Sequence, residues 1–185
     1  MIEWYEFILI SLAAFAGGLV NAIAGGGTLI TFPVMTAVGL PAVTANITNT
    51  IALCPGYFAA TLVQKELIWE QKKRLLMFIP SAIIGGILGG FLLLSSGERL
   101  FRSLVPYLIL LATLLLAFAD PLRNSINRKL AASGASLEHA QYAIGPITLA
   151  AIYGGYFGAG MSIIVLAVLG FLINDSLTRL NALKQ

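Results

Sequence analysis

Long uncharged apolar stretches alternate with short polar ones along this chain. No Asp, Glu, Lys, Arg or His occurs in residues 7–64, 75–97 or 140–174. An apolar run of about 18 residues or more marks a transmembrane helix. The pattern predicts six membrane segments: 7–40, 41–63, 75–94, 104–119, 141–173 and one that begins near Ser176. The first and fifth exceed a single span. As one helix the first would be ~50 Å long, against a hydrocarbon core of ~30 Å. Each contains a glycine cluster, Gly25-Gly26-Gly27-Thr28 in the first and Gly158-Ala159-Gly160-Met161-Ser162 in the fifth. Both segments are expected to break there. Irregular backbone at membrane depth survives only where protein buries it or a polar cavity receives it. Two such breaks, one in each half, predict a binding site between internal repeats.

The order of features repeats as well. Gly25 to Ile30 falls on Gly158 to Ile163, each followed by an apolar half-helix ending in glycine, Gly39 or Gly170. A polar second start follows, Thr44-Ala45-Asn46-Ile47-Thr48-Asn49 against Arg179-Leu180-Asn181-Ala182-Leu183-Lys184. The number of crossings between the motifs implies a same-direction repeat, and a broken segment that folds back as a hairpin would make it inverted. The fold class expected is all-α, a polytopic membrane helical bundle built from two internal repeats with glycine-broken helices. Residues 1–120 form the first repeat, 121–140 a polar cytoplasmic connecting loop, and 141–185 the start of an incomplete second repeat. Ten residues after Ser176 are too few to cross a bilayer, so the second repeat is read as truncated.

Within the other segments, Pro41 opens a helix, Pro55-Gly56 marks a kink, and Asp120-Pro121 ends the fourth span. Gly85, Gly86, Gly89 and Gly90 form two overlapping G-x-x-x-G patterns, read as helix packing rather than substrate path. That face would also suit a homodimer.

Composition agrees with a bilayer. Hydrophobic residues make up 58% and charged residues 10%, with a mean hydropathy of +0.91, whereas a soluble domain carries roughly 25% charged residues. Net charge is +3. Lys65, Lys72, Lys73 and Arg74, then Arg123, Arg128 and Lys129, fall in two loops assigned to the cytoplasm by the positive-inside rule. The same asymmetry accounts for the basic excess without a nucleic-acid partner. Residues 1–6 lack a basic n-region, and no cleaved signal peptide is read. The lone Cys54 has no internal disulfide partner, and with one histidine (His139, read as a surface residue) neither a metal site nor a cofactor is expected.

The candidate chemistry follows from the breaks. A helix that starts inside the membrane presents unpaired N–H groups and about half a positive charge. Glycine lets an anion approach that backbone. Thr28, Ser162, Asn21, Asn46, Thr48 and Asn49 could add neutral hydrogen bonds, and Lys184 is a candidate charge partner. The spans hold no carboxylate, which argues against a cation pump. The competing reading is that the glycines only pack helices and that Asn21 and Asn49 tie helices together. The first cluster lacks the Gly-Lys-Ser/Thr of a P-loop. Ser162 has no histidine in reach, so no hydrolase is read.

Gly17-Gly18-Leu19-Val20-Asn21-Ala22-Ile23-Ala24-Gly25-Gly26-Gly27-Thr28-Leu29-Ile30-Thr31-Phe32-Pro33 resembles the opening signature of the sulfite exporter TauE/SafE family. Gly155-Tyr156-Phe157-Gly158-Ala159-Gly160 with Leu180-Asn181-Ala182-Leu183-Lys184 resembles its second-half signature. Members are usually about a third longer, with seven to nine helices. The resemblance implies a multi-pass permease of the bacterial inner membrane that moves sulfite, sulfonates or related small organic acids. It also implies site residues by matching position: Asn21, Gly25, Gly26, Gly27, Thr28, Asn46 and Asn49 in the first half, and Gly158, Gly160, Asn181 and Lys184 in the second. The function expected is a permease for small anions working by alternating access. An anion channel, or a non-transporting membrane scaffold or accessory subunit, is the alternative.

Overall fold

The computed structural model describes residues 3–23, 26–118, 121, 124–125, 128, 140–173 and 175–184, with the backbone alone at 22, 23 and 140. Among the described residues it is all helix and turn, with no strand. The helices are α1 (Trp4–Ile23), α2 (Thr28–Ala37), α3 (Ala42–Val63), α4 (Lys65–Glu70), α5 (Lys72–Ala117), α6 (Ile144–Tyr156), α7 (Met161–Leu172) and α8 (Leu177–Lys184), with a 3-10 turn at Ala140–Ala143 before α6. Two helices, α1 and α5, are by themselves long and apolar enough to cross a membrane, and α2 and α7 are shorter apolar helices. Large apolar side chains such as Phe15, Phe58, Ile83, Phe91 and Tyr107 stand exposed around the bundle. So broad an apolar surface suits lipid rather than water.

The chain reverses between α1 and α2. Gly27 sits against Gly17 and Asn21, and Thr31 against Gly17, so α2 runs back along α1. The second cluster does the same. Gly154 faces Met161, while Ala143, Ile147 and Ala150 share a core with Val165, Leu166, Leu169 and Ile173. α6 and α7 are therefore antiparallel. The Tyr153 hydroxyl donates to the Ala159 carbonyl at 2.6 Å and holds the tip of this second hairpin.

α5 spans 46 residues and turns at Gly97, whose φ of 67° and ψ of 169° suit glycine. Its first arm, 72–96, runs parallel to α6. A Cβ on Gly85 would lie 2.6 Å from Ala151 Cβ, and one on Gly89 would lie 2.1 Å from the Ile152 carbonyl oxygen. The glycine stripe on this arm thus packs against α6 of the same chain. The second arm, 98–117, passes Phe32 through Phe101, Gly160 through Ala112 and Gly26 through Leu116. Glu98 follows the turn and accepts hydrogen bonds from the backbone N–H groups of Ala42 and Val43, so a residue 55 positions away supplies the cap of α3. Such a carboxylate satisfies orphan donors and complements the helix dipole.

These contacts set direction. α2 runs toward the end of the bundle where Glu98 caps α3. α7 runs toward the opposite end, where Asp175 meets Arg74 at the start of α5. The two hairpins are entered from opposite ends of the bundle and meet at their tips. That geometry replaces the same-direction reading of the two motifs, because the crossing count behind it treated each broken segment as a full traverse. The segment 121–140 lies almost wholly outside the described residues, as does His139.

Candidate functional site

The tips are joined by aromatic packing. Phe32 of α2 meets Phe101 of α5 and Phe157 beside the second cluster, with ring centroids 6.3 and 5.5 Å apart and near-perpendicular planes. Phe101 also meets Tyr156 at 5.5 Å. Edge-to-face contacts of this kind fix ring positions as well as burying area. The cluster sets the level at which α2 and α7 begin.

A cavity of about 210 Å³ lies beside those two beginnings. Thr28, the first residue of α2, contributes one wall. Gly158, Met161 and Ser162, at the start of α7, contribute another. Thr50, Leu53 and Tyr57 of α3 form a third, and Gly154, Phe157, Val165 and Lys184 complete it. Neither α2 nor α7 has a side-chain hydrogen bond capping its N-terminus, and their N-cap residues are Gly27 and Gly160. The positive ends of two dipoles and one lysine thus border one space whose remaining polar groups are hydroxyls. Among the described residues no group of three His, Cys, Asp or Glu side chains could hold a metal.

Of the residues expected from the sequence, Thr28, Gly158, Ser162 and Lys184 line the cavity. Others support its wall. Asn49, buried, donates from Nδ2 to Thr28 Oγ1 at 2.9 Å and accepts at Oδ1 from the Thr31 hydroxyl. It ties α3 to α2 and holds Thr28 in place. Asn21 stands beside the Tyr57 side chain and is not among the residues lining the cavity. Gly26 is buried under Leu116, and Gly27 is pressed against the Gly17 carbonyl. Gly160, in the left-handed region at φ 76°, lets the chain enter α7 against Ala112 and Leu115. Asn46 lines a neighbouring crevice. Asn181 is half-buried on α8 and Thr48 is exposed; neither is among the residues lining these two cavities. Gly25 lies outside the described residues. Sequence reasoning missed Thr50, Leu53 and Tyr57. Their spacing from Asn46 (positions 46, 50, 53, 57) is that of one helix face and was the available signal.

At the far end of α7, a charged group anchors α8 and with it Lys184. Arg74 pairs with Asp175, Arg179 Nε meets Asp175 at 3.0 Å, and Arg179 also meets Glu70 at 2.5 Å. Gln71 Nε2 donates to the Arg179 carbonyl at 2.9 Å. Burial alone would raise the Asp175 pKa. The Arg74 hydrogen bond, the Ser176 N–H and the charges of Arg179 and Arg74 outweigh it and hold the carboxyl below its usual value.

Comparison with known proteins gives a consistent family. The model of a family described as sulfite exporter TauE/SafE matches residues 10–185. A probable membrane transporter protein of Haemophilus influenzae is 27% identical over 161 residues, covering 85% of this chain and 61% of its own length. The probable membrane transporter protein YfcA of Escherichia coli K12 is 27% identical over 99 residues, covering 52% of this chain and 36% of its own. The probable membrane transporter protein ORF9 of a Sinorhizobium species is 29% identical over 99 residues, with 54% and 38% covered. The chain thus spans about three-fifths or less of the length of these relatives. No solved structure matches it.

Proposed function

The chain belongs to the sulfite exporter TauE/SafE family, and from that premise we propose that it contributes the binding half-sites of a permease for small organic anions in the bacterial inner membrane. The observation that carries this reading is the convergence of two uncapped helix starts and Lys184 on one cavity. Helix N-termini bind oxyanions through backbone N–H groups and the dipole, and Lys184 adds a full charge. The rest of the wall sorts the guest. Leu53, Phe157, Met161 and Val165 are apolar, while Thr28, Thr50, Tyr57 and Ser162 offer hydroxyls. A cavity near 150 Å³ accommodates benzene, so 210 Å³ exceeds what a bare sulfite fills. A sulfonate or carboxylate carrying a short carbon stem fits it better.

The opposed hairpins supply a route to alternating access. Each is anchored at its own end of the bundle, one beside the Glu98 cap and the other at the Arg74–Asp175–Arg179 group. Rocking one against the other would open the shared cavity to one side at a time, as in transporters built around helix ends at mid-membrane. Counterflow tests this. Proteoliposomes preloaded with unlabelled propane-1-sulfonate should accumulate labelled propane-1-sulfonate saturably, and Lys184→Met should lower apparent affinity by about tenfold for one lost charged contact. Non-saturating flux without counterflow would replace the permease by a channel.

A further inference from the structure

We propose that the crevice beside Asn46 is a second, outer subsite on the same route, that it takes the uncharged, hydrogen-bond-donating end of the substrate, and that Thr50 is the threshold between it and the central cavity. This rests on the permease reading above. The crevice, of about 200 Å³, lies between α3 and the meeting of α5 with α6, bordered by Asn46, Thr50, Gly90 and Gly155 and by the apolar, exposed Ile51 and Leu94. Thr50 borders both spaces. On α3 the residues Asn46, Thr50, Leu53 and Tyr57 are spaced four, three and four apart, so they share a single stripe. The two spaces are consecutive stretches of one track along that stripe, starting one turn inside the Glu98-capped end of α3.

The hydrogen bonds give the crevice its chemistry. Asn46 is only 2% exposed, and its Nδ2 is spent on the Tyr156 carbonyl at 3.0 Å. Its Oδ1 is buried without a partner. An orphaned buried acceptor is costly and calls for a donor. Thr50 cannot be that donor, because its hydroxyl proton goes to the Asn46 backbone carbonyl at 2.9 Å, which leaves Oγ1 with lone pairs only. The polar side-chain atoms left at the crevice are therefore acceptors, Thr50 Oγ1 and the buried Asn46 Oδ1, and no Lys, Arg or His borders it. An oxyanion is repelled here, whereas a hydroxyl or a protonated carboxyl is held. The central cavity has the opposite preference, with helix N-termini and Lys184. A substrate with a charged end and a donor end fits the pair in one orientation.

Thiol labelling and a matched ligand pair test this. In a Cys54→Ala background, which removes the single native thiol, Thr50→Cys is a near-isosteric probe of the threshold. Phe58→Cys, at a position 72% exposed on the lipid-facing side, is the control. A membrane-impermeant methanethiosulfonate should modify Thr50→Cys far faster than Phe58→Cys. Equal rates, or modification of Thr50→Cys by N-ethylmaleimide alone, would overturn the proposal by making the crevice a lipid groove. This readout needs no transported anion, so it separates failure of the subsite from failure of the permease reading. In the second arm, 4-hydroxybutane-1-sulfonate should compete for uptake about fivefold better than butane-1-sulfonate, one net hydrogen bond. Thr50→Val and Asn46→Leu should each erase that difference in competition between the two sulfonates. Equal competition by the two sulfonates in the unaltered protein would overturn the donor assignment.

Discussion

Gly27 and Gly26 are adjacent, both buried, and differ in what surrounds them. A Cβ on Gly27 would lie 2.2 Å from the Gly17 carbonyl oxygen and 2.8 Å from Asn21 Cβ. Ordinary contact begins near 3.4 Å, so α1 and α2 would have to part by about 1.2 Å at their closest crossing. On Gly26 the new methyl would meet only the tip of Leu116, at 3.2 Å, which a rotamer change relieves. Gly27 has helical dihedrals, φ −57° and ψ −32°, so its need for glycine is steric and not conformational. Helix propensity alone would favour alanine there by up to ~1 kcal/mol. Overpacking against backbone costs about 3 kcal/mol, so Gly27→Ala should be destabilising on balance and Gly26→Ala nearly neutral. For a chain of this size the net loss of about 2 kcal/mol corresponds to a melting temperature lower by roughly 4–8 °C. Purified variants in one detergent, followed by thermal unfolding, report this directly. If Gly27→Ala melted within about 2 °C of Gly26→Ala, the close crossing of the first hairpin would be refuted.

Further expectations concern the ties around the cavity. Asn49→Leu leaves the buried Thr28 hydroxyl without its partner, while the Thr31 hydroxyl keeps the Gly27 carbonyl at 3.2 Å, and should cost about 2 kcal/mol, read by thermal unfolding, with loss of sulfonate protection against heat. Asp175→Ala leaves Arg74 buried beside no carboxylate and should cost about 3 kcal/mol. Because the folded pKa of Asp175 lies below its unfolded value of 3.8, its stabilising contribution is complete above that value and fades as pH falls below it. A melting curve of the unaltered protein should therefore show no Asp175 contribution to pH dependence between pH 5 and 7, and Asp175→Asn should flatten the acid limb alone. Tyr57→Phe keeps the ring but removes the hydroxyl beside Asn21, and should weaken counterflow by about fivefold with little change in melting temperature.

How much of this was legible in the sequence depends on the kind of information each part carries. Membrane character and the places where the backbone is interrupted are local, written in apolar runs and in Gly25–Gly27 and Gly158–Gly160. The sense of each interruption is not local. Whether the chain continues or returns after Gly27 depends on Gly17 accepting its backbone, and nothing in the glycine cluster itself states that. The same holds for Asn49. Its type marked it as a polar group needing partners, but whether those would be Thr28 and Thr31 or a ligand was decided by the docking of α3 on α2. Thr50 and Tyr57 were readable as a stripe with Asn46. They were passed over because single hydroxyls in an apolar helix bond their own preceding turn, as Thr50 does, and give no pattern of their own. Lys184 borders the cavity because Arg179 pairs with Glu70, a contact between residues more than 100 positions apart.

The second hairpin has a consequence for how the chain is built. α6 has thirteen residues and α7 twelve, about 20 Å and 18 Å of helix, each too short to cross a bilayer alone. Neither can be released singly into lipid by the insertion machinery, since the carbonyls around Gly158 would enter hydrocarbon without partners. The groove that receives α6 is the glycine-lined side of α5, which emerges from the ribosome earlier. Biogenesis therefore has a fixed sequence: the glycine-lined arm must be seated first as a template, and the later hairpin folds onto it as a delayed, protein-guided step.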